Sequence, residues 1–518
     1  MRRNTLTTAV LAGLTGMAGM VSVSNAVNVN PDGLGQVLLY PYYTARGGND
    51  TLISIVNTTD GTKAVKVRFI EALNSREVLD FNLYLSPYDV WTAAITETSG
   101  GGGKMMTADT SCTVPYFQGG EPGNVGEHEF LDFEYTGGNN DGGPQGIERT
   151  ASGYIEIIEM GTLINTDALP AAAAAKHVNG VPRSGGAFGA PCSTLVSAWG
   201  NGPWGFGFGN PGDPTVATQE ASGGLFGAAS IINVAEGTMF SYNATAIDRF
   251  WTPGAEAAQG HTDPGSTLPS LASGDNESRV FINGEVDFQE WGLGVEALNA
   301  TIMHNEIFNE YTVEESLGAR TEWVMTFPTK RFHTDNVGGG FVSPGSNAAI
   351  PPFTATWALW DDGSVAALAR ACENFNFRVF DREENEPDTG IIVSPPPPQQ
   401  GFFLCREANV IRFTQEGGRP DASEILKEPE RENPNLTYTN FQLPSDFDAG
   451  WVKFDMATIG GTTRRSNPSD AGIQYEGLPV IGFQVSTFTN GATEAGVLSN
   501  YGGTFNHRGS RSYISVTD

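Results

Sequence analysis

The chain has 518 residues and carries 29 Lys and Arg against 59 Asp and Glu, a formal net charge of −30. That acidity argues against nucleic acid as a partner, because neutralising phosphates needs a basic face. Gly 65 and Pro 30 make the chain loop-rich, while 39% hydrophobic and 10% aromatic residues supply a core, so composition favours an all-β chain over a disordered one.

Arg2 and Arg3, the apolar run from Leu6 to Val21, and Ser24-Asn25-Ala26 read as a signal peptide over residues 1–26. No later stretch reaches the length of a membrane span. The expectation is an exported chain with no membrane span, secreted or periplasmic or held at the cell surface after cleavage near Ala26. Its acidic, lysine-poor surface, with seven Lys against 22 Arg, keeps it soluble by mutual repulsion.

Five sequence blocks recur in order. Thr51–Asp60 and Thr321–Lys330 each read as a strand running into a polar turn. Val65–Glu71 and Phe375–Asp381 alternate with the period of two of a half-buried strand. Leu83–Pro87 matches Ile392–Pro395, each ending in Ser-Pro; Gly153–Met160 matches Gly450–Met456; Gly224–Gly237 matches Gly477–Gly491. Between the copies, apolar residues in Val295–Tyr311 give a rough helical stripe, and Ala171–Ala175 after Pro170 gives a second helical turn. The segments 100–146 and 180–224 read as long loops. Pro395–Pro398 reads as stiff polyproline II, and Asp361-Asp362-Gly363 as a hairpin turn.

The architecture this implies is all-β: two tandem immunoglobulin-like β-sandwich domains with long loop insertions. The first spans residues 27–294, a connecting helix and linker 295–319, and the second 320–518. An outer-membrane barrel is the rival, but it needs evenly spaced amphipathic strands, and the spacing here is irregular. Cys112, Cys192, Cys372 and Cys405 allow three pairings in an exported chain. One bridge per half, Cys112–Cys192 and Cys372–Cys405, is the expected one. No CxxC or paired Cys/His spacing points to zinc.

Val37–Thr44 with Ser54–Thr59, and Thr321–Lys330, resemble uncharacterised exported β-sandwich proteins of Gram-negative bacteria. The resemblance implies export and carries no chemistry.

The six histidines are scattered, and neither HExxH nor GxSxG occurs, so no enzyme is expected and no cofactor, with Ca²⁺ as the one candidate metal. Glu127, Glu129 and Asp132, with Asp141 on a nearby turn, offer the hard oxygen donors Ca²⁺ prefers. Trp199, Trp204, Phe206 and Phe208, interleaved with glycine, could stack on sugar rings; the competing reading tucks them beneath the loop, since exposed rings invite aggregation. The function expected is a non-enzymatic structural or adhesive protein of the cell surface or extracellular matrix, with surface glycans or other envelope and matrix proteins as partners. A calcium-assisted carbohydrate-binding module is the alternative, and a secreted hydrolase the third.

Overall fold

The computed structural model describes residues 26–117, 125–178, 181–182, 190–205, 212–254, 260–338, 340–360, 368–387, 392–394, 402–415, 421–429, 438–494 and 497–516. Residues 1–25 of the expected signal peptide, the expected turn at 361–363, the 395–398 prolines, Phe206 and Phe208 lie outside the described residues.

Among the described residues strand dominates, and the strand ladders are antiparallel with one exception, Ala408–Thr414 against Tyr438–Gln442. Among the described residues no sheet closes on itself, and no helix is long and apolar enough to cross a membrane.

One path of strands is laid down twice. In the first sheet, Thr245–Asp248, Val37–Thr44, Ser152–Leu163, Thr62–Glu71 and Glu77–Leu85 lie side by side in that order. In a later sheet, Arg508–Ser510, Glu306–Thr312, Ala449–Asp455, Glu373–Asp381 and Phe402–Leu404 follow the same order. A companion sheet runs Thr238–Asn243, Leu225–Asn233, Asn49–Asn57, Val90–Glu97, and its counterpart runs Val497–Asn506, Ile481–Glu494, Ala319–Thr326, Ala408–Thr414.

The likeness extends to single residues. Gly153 lies opposite Glu71, and a Cβ on it would sit 1.9 Å from the Ile70 carbonyl. Gly450 lies opposite Asp381, and its Cβ would sit 1.9 Å from the Phe380 carbonyl. Both strands therefore cross their neighbour where only glycine fits. Gly227 opposite Ile55 and Gly482 opposite Met325 repeat the pattern against the Ser54 and Val324 carbonyls.

Four of the five recurring blocks fall on strands in matching places, and the Ser-Pro block does not. Glu77–Leu85 corresponds in position to Phe402–Leu404, whereas Ile392–Ser394 pairs with Tyr438–Gln442 in the other sheet. The helical stripe also needs correction. The helix covers only Gly294–Ile302, and Glu306–Thr312 is the first strand of the second path rather than linker. Ala190–Gly200, read as loop, is a helix with Pro191 in its first turn and Gly200 at its end. Segment 100–146 contains the strands Gly103–Thr107, Cys112–Val114 and Gly126–Glu129. Ala171–Ala175 is helical as expected.

Alternation decides what each strand buries. Leu38, Tyr40, Val65, Val67, Ile155 and Ile157 of the first sheet meet Ile53, Ile55, Trp91 and Ile231 of its companion in one apolar cluster. That cluster continues through Val324, Val410, Phe483 and Val485 of the second path. A further cluster, around Trp323, Phe413, Phe441 and Phe454, fills the space between the later two sheets. The first sheet is buried on its outer face too: helix Gly294–Ile302 packs on Val37, Leu39 and Ile158, and helix Ala190–Gly200 packs beside Ala64, Tyr84 and Met160. Thr62–Glu71 is accordingly buried throughout rather than half-buried. The disulfides are Cys112–Cys192 and Cys372–Cys405.

Candidate functional site

Of the residues singled out for sugar stacking, Trp204 is fully buried. Its ring stacks on Tyr84 at 6.0 Å and meets His261 edge-on at 4.6 Å. Trp199 donates from Nε1 to the Tyr84 hydroxyl at 2.7 Å. These rings pin helix Ala190–Gly200 and its following turn to the sheet; Trp204 offers no platform. The calcium candidates are not brought together. Glu127 pairs with Lys104 at 2.9 Å on an edge strand, and Asp132 is half-buried. Asp141 is buried, accepting from Arg149 Nη2 at 2.7 Å. Among the described residues no group of three or more His, Cys, Asp and Glu side chains is placed to hold a metal.

Between the two buried patches on the outer face of the first sheet runs a band of charge. Arg68 faces Glu156 across one rung of the sheet. Its Nη1 donates to Glu156 at 2.9 Å and its Nε to Glu77 at 2.5 Å. Lys66 donates to Asp80 at 3.0 Å and to the Asp263 carbonyl at 2.8 Å, so segment 260–273 lies over this face. The turn after Glu71 is held by its own carboxylate, which accepts from the backbone N–H groups of Leu73, Asn74 and Arg76. Burial alone would raise the Glu71 carboxyl, but Arg149, 2.8 Å away, and those N–H groups hold it below its ordinary value.

That turn delivers Arg76 to the second path. Arg76 Nη2 donates to Asp335 at 2.7 Å and Nη1 to the Gly338 carbonyl at 2.9 Å. Arg331, on the short helix Lys330–Thr334, donates from Nη1 to the Ser75 carbonyl at 2.7 Å. Arg68, Arg76 and Arg331 thereby converge on one open cavity of about 680 Å³. Glu134 is the one carboxylate among the residues lining it, and Phe332 and Phe341, stacked at 5.8 Å, form an apolar wall. The Nε atoms of Arg76 and Arg331 are buried without a hydrogen-bond partner; they lie 3.4 Å from Asp141 and 3.7 Å from Asp335. Burial, with the Arg76 guanidinium beside it, pushes Arg331 below its ordinary value.

No family model, curated protein or solved structure matches the chain. What the cavity can do rests on its own chemistry. Guanidinium groups do not give up protons at physiological pH, and they bind oxyanions through paired N–H donors. The cavity suits holding a charge better than moving a proton. Sequence reasoning passed over all three arginines, though Arg68 lies directly opposite Glu156 on the neighbouring strand, a cross-strand charge match.

Proposed function

We propose that the chain is an exported, non-enzymatic protein of the cell surface or surrounding matrix, structural or adhesive in role and acting through binding. The observation that carries this reading is the open cavity of about 680 Å³ formed from both strand paths, lined by Arg68, Arg76 and Arg331 and walled by Phe332 and Phe341. Two disulfides support export, because such bonds persist in oxidising compartments. The resemblance of Val37–Thr44 and Thr321–Lys330 to exported Gram-negative proteins points the same way. Surface glycans and other envelope or matrix proteins are the partner classes. The calcium-assisted carbohydrate reading has less support, with Trp204 buried and Asp141 committed to Arg149. A hydrolase has less again: Glu156 is buried against Arg68 and is not among the residues lining the cavity.

Cell fractionation with intact mass measurement should find the chain outside the cytoplasm, cleaved near Ala26 and carrying two bridges. Deleting the gene should weaken attachment, envelope integrity or matrix content. A deletion strain unchanged in all three would overturn the reading.

A further inference from the structure

A second cavity, of about 370 Å³, lies between the two strand paths. Pro41 and Asn243 reach it from the first path; His304, Ile481, Asn506 and Arg511 reach it from the second, with Ile302 at the end of the helix before it. The chain carries 59 acidic residues, yet none of the described residues lining this cavity is Asp or Glu.

Arg511 supplies its charge. The Nε atom donates to the Met303 carbonyl at 3.0 Å and Nη2 to the Thr301 carbonyl at 2.8 Å. Those carbonyls, at the end of helix Gly294–Ile302, take one edge of the planar fork. The other edge, between Nη1 and Nη2, keeps a pair of parallel N–H donors. Among the described residues no carboxylate pairs with Arg511, nothing accepts from Nη1, and Nη1 is not shielded from solvent. Burial without such a partner lowers the guanidinium below its ordinary value.

The rest of the lining suits hydroxyl groups. His304 donates from Nδ1 to the Ile302 carbonyl at 3.0 Å, which leaves Nε2 as an acceptor. Asn243 and Asn506 are exposed at the rim, one from each path, and their side-chain amides have no partner among the described residues. Pro41, Ile302 and Ile481, all buried, give an apolar floor.

We propose that this cavity binds an acidic sugar, a uronate unit of a surface glycan. Its carboxylate lies on the Nη1–Nη2 edge of Arg511, its hydroxyls on His304 Nε2 and the amides of Asn243 and Asn506, and its C–H face over the apolar floor. A carboxylate presents two oxygens to that edge, which a neutral sugar does not. The volume is at the small end of ligand cavities, which favours a single sugar unit over a long segment. The assignment rests on the binding role proposed above and names the ligand class for it.

The test is calorimetric titration of the full-length protein at low salt with four probes: glucuronate, galacturonate, glucose and acetate. One of the uronates should bind saturably at a single site. Glucose lacks the carboxylate and acetate lacks the ring, so each should bind about tenfold more weakly or worse. Arg511→Lys keeps the cation and removes the paired donors; it should weaken the uronate by about tenfold. Arg511 also holds the helix end, so a second variant separates binding from folding. Asn243→Ala combined with Asn506→Ala alters exposed side chains alone, and should weaken the uronate by about fivefold while leaving the melting temperature in place. No saturable binding of either uronate, glucose or acetate binding as tightly, or a titration indifferent to both variants would overturn the assignment. If the titrations fail while gene deletion still loosens attachment, the ligand class falls and the surface role stands. If they succeed while deletion changes nothing, the reverse holds.

Discussion

Arg76 and Asp335, separated by 259 positions in sequence, meet with Nη2 2.7 Å from Oδ2, both side chains buried. The same carboxylate accepts the backbone N–H of Val337 at 2.9 Å, so one side chain ties the two strand paths together and shapes the cavity wall. Asp335→Ala would leave Arg76 and Arg331 facing each other without their shared carboxylate. The expected loss is about 3–5 kcal/mol, the cost of removing one partner of a buried pair. Urea unfolding of the variant measures it; a loss below about 1 kcal/mol would mean that the pair is solvated and does not hold the paths together.

The glycine pairs give a second prediction. Gly153→Ala and Gly450→Ala each place a methyl group 1.9 Å from a backbone carbonyl inside a sheet. A backbone atom in a paired strand cannot swing aside as a side chain can, so each should cost about 3 kcal/mol, the upper end of overpacking losses. Thermal unfolding should rank the two substitutions alike, and a harmless change at either would contradict the matched crossing geometry.

Trp204 tests the aromatic loop. As a buried ring against Tyr84, Trp199 and His261, Trp204→Ala should cost about 3–5 kcal/mol. Trp204→Phe should cost less, because a smaller ring keeps part of the contact. A variant of unchanged stability that had lost glycan binding would instead restore the platform reading.

The all-β class was legible from alternation and turn signals, and the disulfide pairing from the placement of two cysteines in each half. Four recurring blocks could be matched because length, alternation and their order along the chain recur. The Ser-Pro block misled because a strand's ending does not say which neighbour it takes, and sheet membership is set by contacts far away in sequence. Lys66 and Arg68 read as the wet side of a half-buried strand, since a basic residue at alternate positions ordinarily faces water. Here segment 260–273 and the short helix at Lys330 cover that side. Arg76 and Arg331 lie on a turn and a five-residue helix, and nothing local in sequence announces that they converge. The helix at Ala190–Gly200 escaped because Ala, Ser and Gly give its periodicity little contrast.

Buried titratable groups predict how stability changes with pH. Burial pushes Glu156 up to about 7 and Glu407 up to about 8, from an ordinary value of 4.5. Their contribution is full below about 4.5 and is lost as pH rises through about 7 and 8, because the unfolded carboxyls have already released protons that the folded ones retain. Burial pushes His261, His333 and His507 down to about 4 and His304 down to about 3, from 6.5. Their contribution is present above 6.5 and is lost as pH falls through about 4. Above about 6.5 these histidines are neutral in both states, so the raised carboxyls, Glu407 among them, decide the slope there. The melting temperature should fall between pH 6.5 and 9, with Glu407→Gln flattening that limb. A steady rise from pH 7 to 9 would contradict this.

Leu38, Tyr40 and Ile231 share an apolar cluster with Val324, Val410 and Phe483, and Arg76 pairs with Asp335 across the two paths. Differential scanning calorimetry of the full-length protein addresses both facts at once. One endotherm is the predicted result. Two endotherms would contradict it.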